Sequence, residues 1–319
     1  MGGMDLARYI MKRLIMLIPV VAVVMVISFL VTHIMPGDPV RMMLGDFASE
    51  EQVAAMKHQL GYDKPMFAQF WVWLSRIIRG DLGESLFLHM PVSKAIFSRL
   101  EPTFLLAFLG ESIGLLIGIP LGVIAAVKHR SWMDQSAIGV SLTGVSIPSF
   151  WLSLMLILVF SVKLHWFPVQ GYEPLSQAGL GTFKYLVLPA VTLGFMQGGI
   201  IARMTRSAML DVLRQDYIRT ARAKGLAESF VIARHALKNA MIPVVTVIGF
   251  SMAVLLGGTW VVETVFNIPG TGALAISSIM KRDYPVIQGS MIFTALVYVI
   301  VNIVVDISYA FLNPKVKYR

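Results

Sequence analysis

Six runs of about 20 apolar residues follow one another along the chain. They lie near Leu14 to Met35, Thr103 to Val127, Ser136 to Val162, Tyr185 to Ala202, Met241 to Val262 and Ser290 to Leu312. At about 1.5 Å of rise per residue each is long enough to cross a hydrocarbon layer as a helix, and only a helix satisfies its own backbone N–H and C=O groups there. The sequence therefore predicts an all-α membrane protein with six transmembrane helices. Composition agrees, because 56% hydrophobic and 14% charged residues leave too little polar surface to cover a soluble core of 319 residues. The first run follows Lys12-Arg13 but is too long for a signal-peptide core and lacks a small-x-small cleavage site, so it reads as a retained anchor. With no cysteine, the chain has no disulfide framework, thiol nucleophile or cysteine metal site.

Lysine and arginine set the orientation. With the N-terminus inside, the inner pieces carry 16 of the 27 Lys/Arg, and the two short outer loops carry two each, Lys163 with Lys184 and Lys281 with Arg282. The other seven lie in the long segment from Pro36 to Pro102, beyond the length over which the positive-inside rule counts. Both termini are expected to be cytoplasmic. The pI near 9.8 thus reflects topology rather than a nucleic-acid footprint.

The expected division is a first part, 1–35, with the inner tail and first span; an outer helical insertion, 36–102; a five-helix core, 103–312, with an inner loop, 203–238; and an inner tail, 313–319. In the insertion, Ser49-Glu-Glu-Gln52 fits a capping box opening a helix that Gly61 stops, and Pro65 starts a second helix that ends at Gly80. Phe67, Phe70, Trp71, Leu74, Ile77 and Ile78 make one apolar face on the second, suited to packing on the bundle, to the lipid interface or to an outside partner.

Within the second span, Gly110, Gly114, Gly118 and Gly122 form one stripe; Gly194, Gly198 and Ala202 repeat the device in the fourth, and such stripes let helices approach closely. Gly110-Glu-Ser-Ile-Gly114 matches the nucleophile-elbow pattern, but Ser112 would sit in mid-helix with no positioned base, so the match reads as coincidence. The six histidines are dispersed and no HExxH occurs, leaving a metal site unsupported. Ionisable groups inside spans are costly and draw attention as candidate lining of a polar route. Glu111 in the second span qualifies, as do Asp306 and Asn302, one turn apart on the sixth. The alternative for Asp306 is a structural pair with Arg203 or Arg206.

Arg203 to Lys238 holds eight Lys/Arg against three Asp/Glu, a surplus of five in a chain of net charge +9. Its centre reads as a short helix, with Asp216 as N-cap, Arg222 and Lys224 at the negative end of the helix dipole and Gly225 as the left-handed stop. Tyr217, Ala221 and Lys224 share a face, and Ala221 with Ala223 leaves room for a partner to approach. A helix this short needs contacts to persist. A solvated loop that merely enforces topology is the plain alternative.

Arg219-Thr-Ala-Arg-Ala-Lys-Gly225, then Arg234-His-Ala-Leu-Lys-Asn239 and Ala240-Met-Ile-Pro-Val-Val245, resembles the cytoplasmic loop of permease subunits in bacterial ATP-binding-cassette importers of the dipeptide, oligopeptide and nickel branch, including dipeptide and glutathione permeases. Met35-Pro-Gly-Asp-Pro39, Gly80-Asp-Leu-Gly83, Val262-Glu-Thr-Val-Phe-Asn267 within Gly258 to Pro269, Arg282-Asp-Tyr-Pro-Val-Ile-Gln288 and Asn302 to Asn313-Pro314 extend the likeness over nearly the whole chain. The family's Glu-Ala-Ala pattern is replaced by Arg219-Thr220-Ala221, as is usual in the peptide branch, while Gly225 is kept. The resemblance implies the type I importer permease fold in the bacterial inner membrane. It implies a coupling helix from Tyr217 to Glu228, comprising Tyr217, Arg219, Thr220, Ala221, Arg222, Ala223, Lys224, Gly225, Leu226 and Glu228. Implied partners are a second homologous permease, two ATPase subunits that bind ATP and Mg²⁺, and an extracytoplasmic substrate-binding protein. The chain itself lacks a GxxxxGK[ST] loop and even a Gly-Lys dipeptide, so it is expected to bind no ATP and to be no enzyme. Cargo stays open among dipeptides, oligopeptides, glutathione and nickel chelates. An ion-coupled secondary transporter and a Ser112 hydrolase are the rival classes.

Overall fold

The computed structural model describes residues 3–34, 39–44 and 48–312, so Met35 to Asp38 of the Met-Pro-Gly-Asp-Pro motif and the 313–319 tail lie outside the described residues. Helix α1 (Gly3–Ile34) is followed by α2 (Pro39–Leu44), α3 (Glu50–Leu60), α4 (Met66–Ile78) and α5 (Val92–Phe97). The core comprises α6 (Leu100–Val127), α7 (Trp132–Ser146), α8 (Ser149–Leu156), the short α9 (Leu175–Ala178) and α10 (Phe183–Leu213). Next come α11 (Asp216–Ala223), α12 (Glu228–Phe230), α13 (Lys238–Leu256), α14 (Trp260–Val265), α15 (Thr271–Lys281) and α16 (Tyr284–Leu312).

Among the described residues, four unbent helical stretches are long and apolar enough to cross a membrane, at 92–127, 175–213, 228–256 and 284–308. The expected straight crossing from Ser136 to Val162 is corrected to two helices bent by 100°. Pro148 has no N–H to donate to the turn before it and drives Ile147 out of helical geometry, to φ −74°, ψ 125°. The expected fifth run to Val262 likewise stops at Leu256, where Gly258 takes φ +110° and the chain doubles back into α14. The fourth run, in contrast, continues eleven residues past Ala202 to Leu213 as one 31-residue helix, about 46 Å long.

α10 is the central element, and its most extensive pairing is with α6. Gly110, Gly114, Gly118 and Gly122 are all buried along that seam. A Cβ on Gly118 would lie 2.8 Å from the Gly198 carbonyl oxygen, and one on Gly122 only 2.6 Å from that of Ala202. On its other side, α10 meets α7 through Gly199, whose Cβ would fall 2.5 Å from the Ser141 carbonyl, and through Gly144, where a Cβ would fall 2.7 Å from that of Phe195. The glycine stripes therefore set how closely three helix backbones pack.

In the insertion, Ser49 and Gln52 form the expected capping box and Gly61 stops the helix at φ +75°. Phe70 of α4 packs edge-on against Phe29 of α1 at 5.3 Å, and Trp73 donates to Gln288 Oε1 at 2.9 Å, while Phe67, Trp71 and Ile78 remain exposed. Gly122→Ala is expected to lower the melting temperature of the purified protein by about 4 °C or more. Gly139→Ala, which meets nothing within 4 Å, should leave it unchanged or raise it; equal effects in a thermal melt would contradict the seam.

Candidate functional site

A cavity of about 410 Å³ lies between α10, α13, α14 and the broken α7–α8 pair. α10 presents Leu193, Met196, Gln197 and Ile200 at i, i+3, i+4 and i+7, and α13 presents Val247, Phe250, Ser251 and Val254, so each helix turns one face to the space. Val145 and Ser149 flank the Pro148 break, and Thr259 to Val262 wall the end formed by the doubled-back segment. Every lining side chain is uncharged. A second space of about 210 Å³ shares Val145 with it and extends to Arg203 and Arg206.

The three path candidates are not brought together. Glu111 is 2% exposed, and its Oε1 accepts from Ser251 Oγ at 2.7 Å, so the carboxylate stands one hydroxyl behind the cavity wall. Asn302 lines a separate space of about 900 Å³ among α1, α15 and α16, with the half-buried Asp306 one turn further on. Arg206, considered as a partner for Asp306, is committed elsewhere: it grips Asp134 in a fork, Nε to Oδ1 at 2.6 Å and Nη2 to Oδ2 at 2.9 Å, with the Arg130 N–H also on Oδ2 at 2.9 Å.

The 203–238 segment begins within α10 and continues beyond it. Asp216 is corrected from N-cap to first-turn residue; Gln215 holds the cap position without a side-chain bond, and Asp216 faces Arg219 at 3.6 Å. Gly225 takes φ +74° and its N–H reaches the Arg222 carbonyl at 2.9 Å, the expected left-handed stop. The helix ends at Ala223, so the expected Tyr217–Glu228 segment is α11, a turn and the first residue of α12. Ala221, expected on an open face, is instead buried beside Ile218 against Val231 and Ala236, which seats α11 on the chain's own core. Exposed are Tyr217, Arg219, Thr220, Arg222, Ala223, Lys224, Gly225, Leu226 and Glu228. Arg222 donates through Nη2 to Glu228 Oε1 at 2.6 Å, and that hydrogen bond holds its guanidinium above the ordinary pKa. Ser112 is exposed in the middle of α6, and no cluster of metal-ligating side chains occurs among the described residues.

Two buried carboxylates give the matched motifs a physical role. Glu263, fully buried, accepts from the Ala273 N–H at 2.7 Å and from Thr103 Oγ1 at 3.2 Å, tying the doubled-back segment to α6 and α15. A Cβ on Gly270 would overlap this carboxylate at 2.3 Å. Asp283 accepts from Ser85 Oγ at 2.5 Å and from the Leu86 N–H at 3.3 Å, fastening the insertion just after Gly80-Asp-Leu-Gly83. Sequence reasoning missed Asp134, Gln197 and Ser251, since the search for costly groups in the spans picked out Glu111, Asp306 and Asn302 and passed over a glutamine and a serine.

Several long apolar helices, with an uncharged cavity beside the Pro148 break and an exposed short helix after α10, define a multi-helix membrane protein. Family comparison is more particular: residues 118–318 match the binding-protein-dependent transport system inner membrane component family, and residues 6–107 match that family's N-terminal model. The chain is 44% identical over 309 residues to a putative peptide transport system permease protein of Brucella abortus (strain 2308), covering 97% of this chain and 98% of that one. It is 42% identical over 312 residues to the glutathione transport system permease protein GsiC of Salmonella typhi, covering 98% and 99%. A chain of the MetNI methionine ABC transporter, solved in inward-facing conformations, shares the fold with a TM-score of 0.57 at 17% identity, over 68% of this chain and 95% of that one. The chain belongs to the family of binding-protein-dependent transport system inner membrane components.

Glu263→Ala should free the doubled-back segment, because the Ala273 N–H and Thr103 hydroxyl lose their acceptor at about 1–3 kcal/mol each. Faster protease cleavage between Gly257 and Gly272 in the purified variant is the expected result; an unchanged cleavage rate would contradict the clasp.

Proposed function

We propose that this chain is the permease subunit of an ATP-driven importer that moves small peptides across the bacterial inner membrane, with α11 and the turn to Glu228 as its contact with an ATPase subunit. The observation that carries this reading is the exposed surface of α11 with the turn and α12 that follow it: Tyr217, Leu226 and Phe230 are large apolar side chains left open, at 44%, 40% and 44% exposure, beside cationic Arg219 and Lys224. A soluble partner fits such a patch better than water does. The names of the relatives support the cargo class, peptides and glutathione both being amide-linked amino acids.

The proposed assembly pairs this chain with a homologous permease, two ATPase subunits and an outside binding protein; ATP and Mg²⁺ belong to the ATPases. Both termini and the 203–238 loop face the cytoplasm, six crossings span the membrane, and 36–102 lies outside. On closure of the ATPase pair, α11 moves, and because Ile218 and Ala221 are packed on the core, the motion passes to α10 and α13, which wall the cavity. Glu111, Asn302 and Asp306 are proposed to border the route, Glu111 through Ser251 rather than directly.

Gly225→Val places a β-branched side chain at φ +74° with no steric contact, a local strain of about 1–2 kcal/mol. The expected outcome in proteoliposomes is normal insertion and assembly with loss of peptide-stimulated ATP hydrolysis and of uptake, reproduced by Tyr217→Ala with Leu226→Asp. Full stimulation in the double variant would refute the contact.

A further inference from the structure

Gln197 stands out among the cavity residues. It is 8% exposed in the middle of an apolar helix; its amide makes no hydrogen bond among the described residues, and it is not one of the buried polar groups left without a partner, so its amide atoms are open to the cavity it lines. Its backbone position is fixed by the glycine seam, where Gly114 leaves just the room its Cβ needs; a Cβ on that glycine would lie 2.9 Å from it. Across the cavity stands Ser251. Its single hydroxyl proton is used inside the protein, on Glu111 Oε1 at 2.7 Å or the Ile248 carbonyl at 2.9 Å, so toward the cavity its oxygen can only accept. The wall around both is apolar and uncharged, with Met196, Phe250 and Trp260 offering contact to hydrocarbon.

We infer that Gln197 and Ser251 form a cargo-binding subsite for a peptide amide. A primary amide presents an acceptor and a donor side by side, which matches the N–H of one cargo residue and the carbonyl or carboxylate oxygen of that same residue, since the two groups within one trans amide point opposite ways, and Ser251 accepts a further N–H from the cargo. The geometry favours amide- and N–H-bearing molecules whose side chains are apolar or small. A cavity of 410 Å³ falls in the range that encloses a small ligand. This inference rests on the peptide-cargo reading above and adds to it the residues that touch the cargo.

The test uses the whole transporter in proteoliposomes, with saturating binding protein loaded with glycylglycine or with glycylsarcosine, the same peptide methylated at its amide nitrogen. Wild type should move glycylglycine about tenfold faster, the effect of one buried hydrogen bond lost with its partner stranded. Gln197→Met, which keeps the length and loses the amide, should lower the glycylglycine rate about tenfold and bring the ratio near one. Ser251→Ala should give an intermediate ratio. Any preference of the binding protein cancels when variant and wild-type ratios are compared. A wild-type ratio preserved in Gln197→Met overturns the subsite, and so does an equal loss for both peptides with a lowered melting temperature, which would make Gln197 structural. Should wild type move neither peptide, the cargo reading itself falls, an outcome separate from a preserved ratio.

Discussion

The close approach of backbones along α10 is the constraint on which the rest of this structure depends. In a bilayer, apolar side chains gain little by leaving lipid for protein, so helices associate through dispersion contacts that require near-touching surfaces. Gly118 and Gly122 on α6, and Gly144 and Gly199 on the other side, bring neighbouring backbones to distances that no Cβ could occupy. With α10 clamped on two sides, the residues along the edge of its α6 seam have fixed positions, Leu193 against Gly110 and Gln197 against Gly114. That edge, with Met196 and Ile200 beside it, opens on the cavity. Without the seams, α10 would be free to rotate and the cavity would have no defined wall.

Buried carboxylates do a second job, fastening segments that apolar packing alone would leave loose. Asp134 holds the α6–α7 turn to the C-terminal part of α10, Glu263 holds the doubled-back segment, and Asp283 holds the segment around Ser85. Each accepts at least two hydrogen bonds, which is what allows such a group to be buried. Glu111 differs: one oxygen takes the Ser251 hydroxyl, and the other has no partner among the described residues. It is the buried carboxylate placed next to a cavity instead of at a clasp.

Much of this was legible in the sequence, and what was not has identifiable causes. Glycine spacing of four exposed a stripe on α6 and another on α10 because helical geometry alone puts those positions on one face, though not that the two stripes meet, and Gly225 and Gly61 announced helix stops because their conformations suit a residue without Cβ. The break at Pro148 was readable in principle, yet an unbroken apolar run from Ser136 to Val162 outweighed it; hydropathy records what a segment can be buried in, not whether its hydrogen-bond ladder is continuous. The end of α13 at Gly257-Gly258 was hidden for the same reason. Asp216 was misassigned because a cap is fixed by backbone geometry one residue away from the preferred side chain, and Ala221 because an eight-residue helix does not reveal which face its own core claims. Gln197 and Ser251 fell below notice since neither carries charge, and their importance arises only when α10 and α13 face each other.

The same helix joins the cavity to α11. α10 passes from the cavity at Gln197 to its C-terminal end at Leu213, about 24 Å away along the axis, without interruption, and α11 follows after a two-residue turn. Because α11 is anchored through Ile218 and Ala221 to the segment leading into α13, a push on its exposed surface on the proposed reading reaches two walls of the cavity together rather than one. Those two walls carry Gln197 and Ser251. Their separation is then the quantity that a displacement of α11 would change, and a subsite made of one residue from each would hold cargo in one arrangement and release it in the other. A single helix bearing both residues could not do this, since its internal spacing is fixed by the hydrogen-bonded turn.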